Sequence, residues 1–285
     1  MVTAVWGWTF VLVKDAITQY PTLPFLELRF LLAAVLMAVV VHRLPSRREL
    51  WVGLVAGTVV AAGYLFQTVG LATTSPGNAG LITGLFVVFT PLIDRLFGTS
   101  VHRRTAIAVV LALIGTLMLA GGGSGLGLGD ALVLVCAVLY ALHIVLLSRW
   151  SPGLRPAPLA MVQMATCALL FSIAGTPALA HAPTPSPQVW FAVVVTGVFA
   201  SAVAFYIQTW AQAHLDASRT ALILATEPAW ALGASIVLAG QRLNPLQTAG
   251  AALVLGAIVG HELVPLLGAR RRKNRMEDSY EQRPA

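Results

Sequence analysis

This chain has little charge. Only 10% of its 285 residues are Asp, Glu, Lys or Arg, while 58% are hydrophobic and the mean hydropathy is +0.82. Soluble globular domains carry roughly a quarter charged residues, so a soluble core is excluded. Cysteine is scarce too: Cys136 and Cys167 both lie inside apolar runs, where a thiol behaves as a small hydrophobe and carries no redox signal. Catalytic signatures are missing too. The Gly-rich stretch from Gly121 to Gly129 contains neither GxGxxG nor GxxxxGK, and Ser124 is not centred in GxSxG. His261-Glu262 lacks the second histidine of HExxH, because Pro265 stands in its place. No carboxylate or histidine cluster has metal-ligand spacing, so neither metal nor cofactor is expected. The first apolar run reaches Lys14 and Asp15 without a small-residue cleavage pattern, which speaks against a removable signal peptide.

What the chain does have is a succession of apolar segments near 1–18, 24–42, 50–72, 76–97, 104–121, 130–149, 157–180, 188–212, 217–239 and 245–267. They are continuously apolar and close to the ~20 residues that a helix needs to cross a bilayer; barrel strands would alternate in segments of about ten. The expected fold class is all-α integral membrane, with ten transmembrane helices. The first segment, of about 17 residues, is at the lower limit for a span, so a start a few residues upstream is expected.

The few basic residues are placed with strict regularity. Fifteen of the eighteen Lys and Arg fall in alternate gaps. Arg43, Arg47 and Arg48 follow the second segment; Arg95, Arg103 and Arg104 the fourth; Arg149 and Arg155 the sixth; Arg219 the eighth; and Arg270 to Lys273, Arg275 and Arg283 the last. Of the opposite gaps, only the one with Arg242 holds a basic residue. Short basic loops stay cytoplasmic, so both termini are expected in the cytoplasm of a multi-pass protein of the inner membrane. The net charge of +7 is then an orientation signal and a basic tail, not a nucleic-acid surface.

The chain also repeats itself. GYLFQTVGLATTSPGNAGLI from Gly63 aligns without gaps with AFYIQTWAQAHLDASRTALI from Ala204, at an offset of 141 residues; Gln67-Thr68 falls on Gln208-Thr209 and Leu81-Ile82 on Leu222-Ile223. Gly115 meets Gly256 at the same offset, while Pro24 pairs with Pro158 and Arg29 with Gln163 at an offset of 134. Two five-span halves follow: 1–121, then a Gly-rich linker 122–129, then 130–267, with a basic tail 268–285. Five is odd, so the second half is inverted in the membrane, and folds of that kind bind substrate near the midplane where the halves meet.

WGWTFVLVK from Trp6, LELRFLLAA from Leu26, the stretch from Thr74 to Ile82 and ATEPAWALGASIVLAGQRL from Ala225 resemble the recurring segments of the EamA branch of the drug/metabolite transporter superfamily. The resemblance spans both halves. It implies ten helices in two inverted repeats and movement of small metabolites, often outward, without naming the cargo. Gln241 departs from it, where many members carry Glu in a GER-like turn.

Ionisable groups within a bilayer are costly and tend to mark pathways. Glu227, near the centre of the ninth segment and followed by Pro228, is the leading candidate for coupling or for recognising substrate charge; a protonated Glu in one interhelical hydrogen bond is the plainer alternative. Trp6 and Phe10 share a helical face and, with Trp8 and Trp230, could wall an amphiphilic substrate or simply pack helices. Tyr64, Gln67, Gln208 and Gln212 offer donors and acceptors at mirrored depths, for substrate or for neighbouring helices. Lys14, Asp15, Glu27 and Arg29 flank the first turn and are expected either to pair across it or to gate it; His143 is a relay or a hydrogen-bonded structural residue. Gly53 with Gly57, Gly80 with Gly84 and Gly256 with Gly260 have the spacing that lets helices approach.

The expected function is an alternating-access transporter exporting a small amphiphilic metabolite such as an amino acid. Its partners are that small molecule and the lipid bilayer, with proton coupling and oligomeric state left open. The alternative is a membrane-embedded enzyme acting on a lipid or isoprenoid phosphate, which would need polar residues clustered at one membrane face.

Overall fold

The structure is a computed structural model, and it describes residues 1–98, 103–119, 127–214, 224 and 226–260. Among the described residues every element is helical and there is no strand. The helices are α1 (Val2–Gln19), α2 (Thr22–Val40), α3 (Arg47–Leu71), α4 (Pro76–Thr83), α5 (Phe86–Arg95), α6 (Arg103–Leu119), α7 (Leu128–Trp150) and α8 (Pro156–Leu179). They continue with α9 (Pro187–Val194), a π-helical stretch (Val195–Val203), α10 (Ala204–His214), α11 (Glu227–Leu238) and α12 (Pro245–Gly260). Six stretches are long and apolar enough to cross a membrane: α2, α3, α4 with α5, α7, α8, and α9 through α10. Most of the linker, residues 217–223 of the expected ninth span, Arg219, His261-Glu262 and the basic tail lie outside the described residues.

Local chemistry explains the helix ends and breaks. Ser46 and Glu49 form a reciprocal capping box at the start of α3, Glu49 Oε2 accepting from Ser46 N at 2.7 Å. The 76–97 segment is one span by length, but its ladder tightens to i→i−3 bonds at Leu85 and Val87. Pro91, which brings no N–H, follows within α5. In the 188–212 segment the nine-residue π stretch widens the helix, and such insertions re-aim backbone groups at functional positions.

Helix α2 lies along α8, and α3 packs between α7 and α8; α11 sits between α1 and α4. The centre of the α2–α8 contact is apolar: Leu26 and Phe30 are fully buried with Met164 and Cys167, and Phe30 stacks on Phe171 with ring centroids 5.3 Å apart. With little hydrophobic drive between helices in lipid, close approach and dispersion supply the packing. A Cβ on Gly53 would lie 2.6 Å from the Val162 side chain, and one on Gly57 2.7 Å from Thr166, so these two glycines set the α3–α8 spacing. Gly80 and Gly84 meet Ala231 and Pro228 of α11 in the same way. Gly256 and Gly260 do not: nothing stands within 4 Å of where their side chains would be, so that pair makes no helix contact among the described residues.

Two ion pairs join helix ends on the side of the expected basic loops. Arg155 wraps Glu49, donating from Nη2 at 2.6 Å and Nε at 2.9 Å, and Arg149 Nε donates to Asp94 at 2.8 Å.

Candidate functional site

A cavity of about 50 Å³, measured as room for the centres of water molecules, lies between the first-half helices α1, α2, α3 and α5 and the second-half helices α7, α10 and α11. That is space for a few waters. Helix α1 contributes Trp6, Thr9 and Phe10; α2 Arg29; α3 Tyr64 and Gln67; α5 Phe86. Facing them are Tyr140 and His143 of α7, Phe205 and Gln208 of α10, and Glu227 at the start of α11.

Glu227 is 4% exposed, and it begins a helix where the sequence suggests one continuous through it. Thr226 is the N-cap, and Pro228 falls at the helix start, where an N–H is not needed. Pro228 therefore seats the first turn and does not loosen a continuous helix. The N-terminal end of a helix favours negative charge, which suits a carboxylate there. The Glu227 carboxylate has no hydrogen-bond partner among the described residues and is not sealed off from the cavity.

Arg29 is 3% exposed and enters the same cavity. Its Nε donates to Ser201 Oγ at 2.9 Å, on the π stretch, and its guanidinium lies 4.4 Å from the centre of the Tyr64 ring, a cation–π distance. Trp6 Nε1 donates to Ala200 O at 2.8 Å, one residue away on the same π stretch. Two cavity side chains are thus held by the widened helix. His143 Nε2 lies 2.8 Å from Gln163 Oε1, which places a proton on Nε2, and Gln163 Nε2 donates in turn to Thr209 Oγ1 at 3.2 Å. Gln67 Nε2 donates to Thr83 Oγ1 at 3.3 Å.

Several sequence expectations are corrected. No ion pair crosses the α1–α2 turn. Lys14 Nζ donates instead to Leu71 O, Ala72 O and Thr74 O at 2.8–3.2 Å, closing the carboxyl end of α3, where carbonyls lack helical partners. Glu27 faces α8, with Oε1 accepting from Thr176 Oγ1 at 2.8 Å and Oε2 buried without a partner, while Arg29, two residues along, points to the cavity. Trp8 and Trp230 do not wall the cavity; both are about half exposed and line a separate apolar groove with Phe191 and Phe199. Gln212 is held by Ile144 O and Ser148 Oγ, an interhelical tie. The cavity does gather Trp6, Phe10, Arg29, Tyr64, Gln67, His143, Gln208 and Glu227. Phe205 and Tyr140 were missed. The signal for Phe205 was present, since it falls opposite Tyr64 at the 141-residue offset of the repeat.

A model of the EamA-like transporter family matches residues 1–121 and 127–261. The chain belongs to the EamA-like transporter family. This EamA-like protein is a multi-pass membrane transporter, and membership points away from an enzyme. It is 32% identical over 265 residues to an uncharacterized transporter of Archaeoglobus fulgidus, covering 91% of this chain and 82% of that one. It is 26% identical over 275 residues to the uncharacterized inner membrane transporter YedA of Escherichia coli K12, covering 93% and 88%. A solved crystal structure superposes with a TM-score of 0.68 at 22% identity, over 94% of this chain and 96% of its own, a likeness of fold alone.

Proposed function

We propose that this EamA-like protein is an alternating-access exporter of a small amphiphilic metabolite such as an amino acid. In this reading ten spans form two inverted repeats, 1–121 and 130–267, and the basic tail 268–285 and both termini are cytoplasmic. One observation carries it. Six of the seven second-half residues that line the cavity have a first-half counterpart in the lining at a repeat offset. Trp6 with Tyr140, Thr9 with His143 and Phe10 with Ile144 keep the offset of 134. Tyr64 with Phe205, Gln67 with Gln208 and Phe86 with Glu227 keep that of 141. A cavity built from matched positions of two related halves is what a rocking exchange between two faces requires. The two family-model matches, one per half, support the same division.

The test is an untargeted comparison of metabolites released by cells expressing the protein, its Glu227→Gln variant or neither, at matched membrane levels. Particular compounds should accumulate outside and cease to do so in the variant. No difference among the three removes the export reading. Flux that ignores an imposed pH gradient removes proton coupling and leaves facilitated movement.

A further inference from the structure

We infer that the cavity recognises a zwitterion, with Arg29 receiving a carboxylate and Glu227 an ammonium group. This rests on the transport reading above and assigns Arg29 to substrate binding, where the sequence suggested a gate or an ion pair across the turn.

The inference starts from unmet demand. A guanidinium has five N–H donors, and Arg29 uses one, Nε, on a neutral hydroxyl. Among the described residues no carboxylate lies within 4.0 Å of it, the salt bridges there being those of Arg149 and Arg155. Glu227 has no donor at all among the described residues. Both side chains are at least 96% buried and both border the same space. Burying a charge without a partner is costly, and here an acidic and a basic side chain border one cavity without pairing with each other. A ligand bearing a single charge satisfies one and strands the other. A ligand bearing both satisfies both, and the aromatic faces of Trp6 and Phe10 remain for an apolar side chain.

The repeat sharpens this. The residue matching Arg29 in the second half is Gln163, and the residue matching Glu227 in the first half is Phe86. Three of the other matched pairs keep their chemistry, Trp6 with Tyr140, Tyr64 with Phe205 and Gln67 with Gln208, and neither Thr9 with His143 nor Phe10 with Ile144 brings in a carboxylate or a guanidinium. The two charges therefore break the near-symmetry of the cavity, each in one half only, and polarise it from α2 to α11. Gln163 is not spare for a ligand, being engaged by His143 and Thr209. The other ionisable side chains on the lining are Tyr64 and Tyr140, ordinarily neutral, and His143, whose Nε2 is spent on Gln163 Oε1.

The experiment uses the purified full-length protein in lipid nanodiscs and two matched sets of probes. One set is leucine, its decarboxylated amine and its deaminated acid; the other is phenylalanine, phenethylamine and 3-phenylpropionate. Binding is read calorimetrically, with the ligand-free melting temperature of every variant as a control for folding. At least one zwitterion should bind about tenfold or more tighter than both of its singly charged relatives, the low end of what a stranded buried polar group costs. Arg29→Gln should erase the preference over the amine while leaving amine binding in place, and Glu227→Gln should erase the preference over the acid. Arg29→Lys should restore part of the first preference. Equal binding of a zwitterion and a singly charged relative overturns the inference. So does an Arg29→Gln variant that weakens all three probes alike, the signature of a packing role. If no probe binds while the export screen still shows Glu227-dependent release, the zwitterion assignment falls and the transport reading stands.

Discussion

The seam between α1 and α11 permits a sharp test, because it is closed by a glycine facing backbone. A Cβ on Gly7 would lie 2.6 Å from both Ala231 N and Trp230 Cβ, and 2.9 Å from Trp230 C. Real Cβ contacts keep to 3.0 Å or more, so Gly7→Ala must open the seam by about 0.4 Å, and helix backbone gives way less readily than a side-chain end. Overpacking of this kind costs about 1–3 kcal/mol. Alanine also favours a helix over glycine by roughly 0.5–1 kcal/mol, so Gly233→Ala is the natural reference: it lies within α11 and its Cβ would meet nothing within 4 Å. The propensity gain is common to both substitutions. The difference between them is then the overpacking cost itself, about 1–3 kcal/mol, with Gly233→Ala more stable than the parent. Reversible unfolding in mixed micelles measures both. The seam also holds Trp6 and Phe10 against the helix that starts with Glu227, so flux should fall in Gly7→Ala and persist in Gly233→Ala. Coincident unfolding curves for the two variants would refute the reasoning, because they would mean that α1 does not rest on α11 through Gly7.

Trp6→Phe keeps most of the apolar area and deletes the 2.8 Å bond to Ala200 O, so it should cost about 1 kcal/mol; an unchanged melting temperature would show that the π stretch does not depend on that donor. Glu49→Ala removes the acceptor for Ser46 N and for three Arg155 donors, and breaks the α3 cap. Its expected cost is about 2–3 kcal/mol, discounted because the Arg155 side chain is 43% exposed. In an Arg155→Ala background the same substitution should cost clearly less, and an undiminished cost in that double-mutant cycle would assign the effect to the cap alone.

Much of the fold was legible because lipid imposes simple rules: apolar runs mark helices, and Pro and Gly mark their limits. Gly53 and Gly57 were readable as a packing face, and the α3–α8 contact uses them so. Gly256 and Gly260 have identical spacing and pack against nothing described. Spacing states what a helix permits, while the neighbour decides whether the permission is used. The π stretch had no signal of its own; VTGVFASAV reads as ordinary helix, and its widening answers to α2, where a Cβ on Gly197 would lie 2.9 Å from Arg29 O.

The site was legible where the two repeats could be laid on each other and obscure where they differ. Gln67 and Gln208 were found as a matched pair, and Phe205 would have been found by the same step applied to Tyr64. Arg29 was misplaced for a physical reason. Depth along a span was judged from distance to the turn, and Lys14, Asp15, Glu27 and Arg29 all looked like turn residues. Direction matters more than depth: Glu27 and Arg29 are two residues apart, about 200° around a helix, so one meets Thr176 of α8 and the other the cavity. Lys14 could leave the turn because the carbonyls ending α3 needed a cation more than Asp15 or Glu27 did. Once that cation is spent on a helix end, Arg29 is left, among the described residues, as the Lys or Arg side chain that lines the cavity with Glu227.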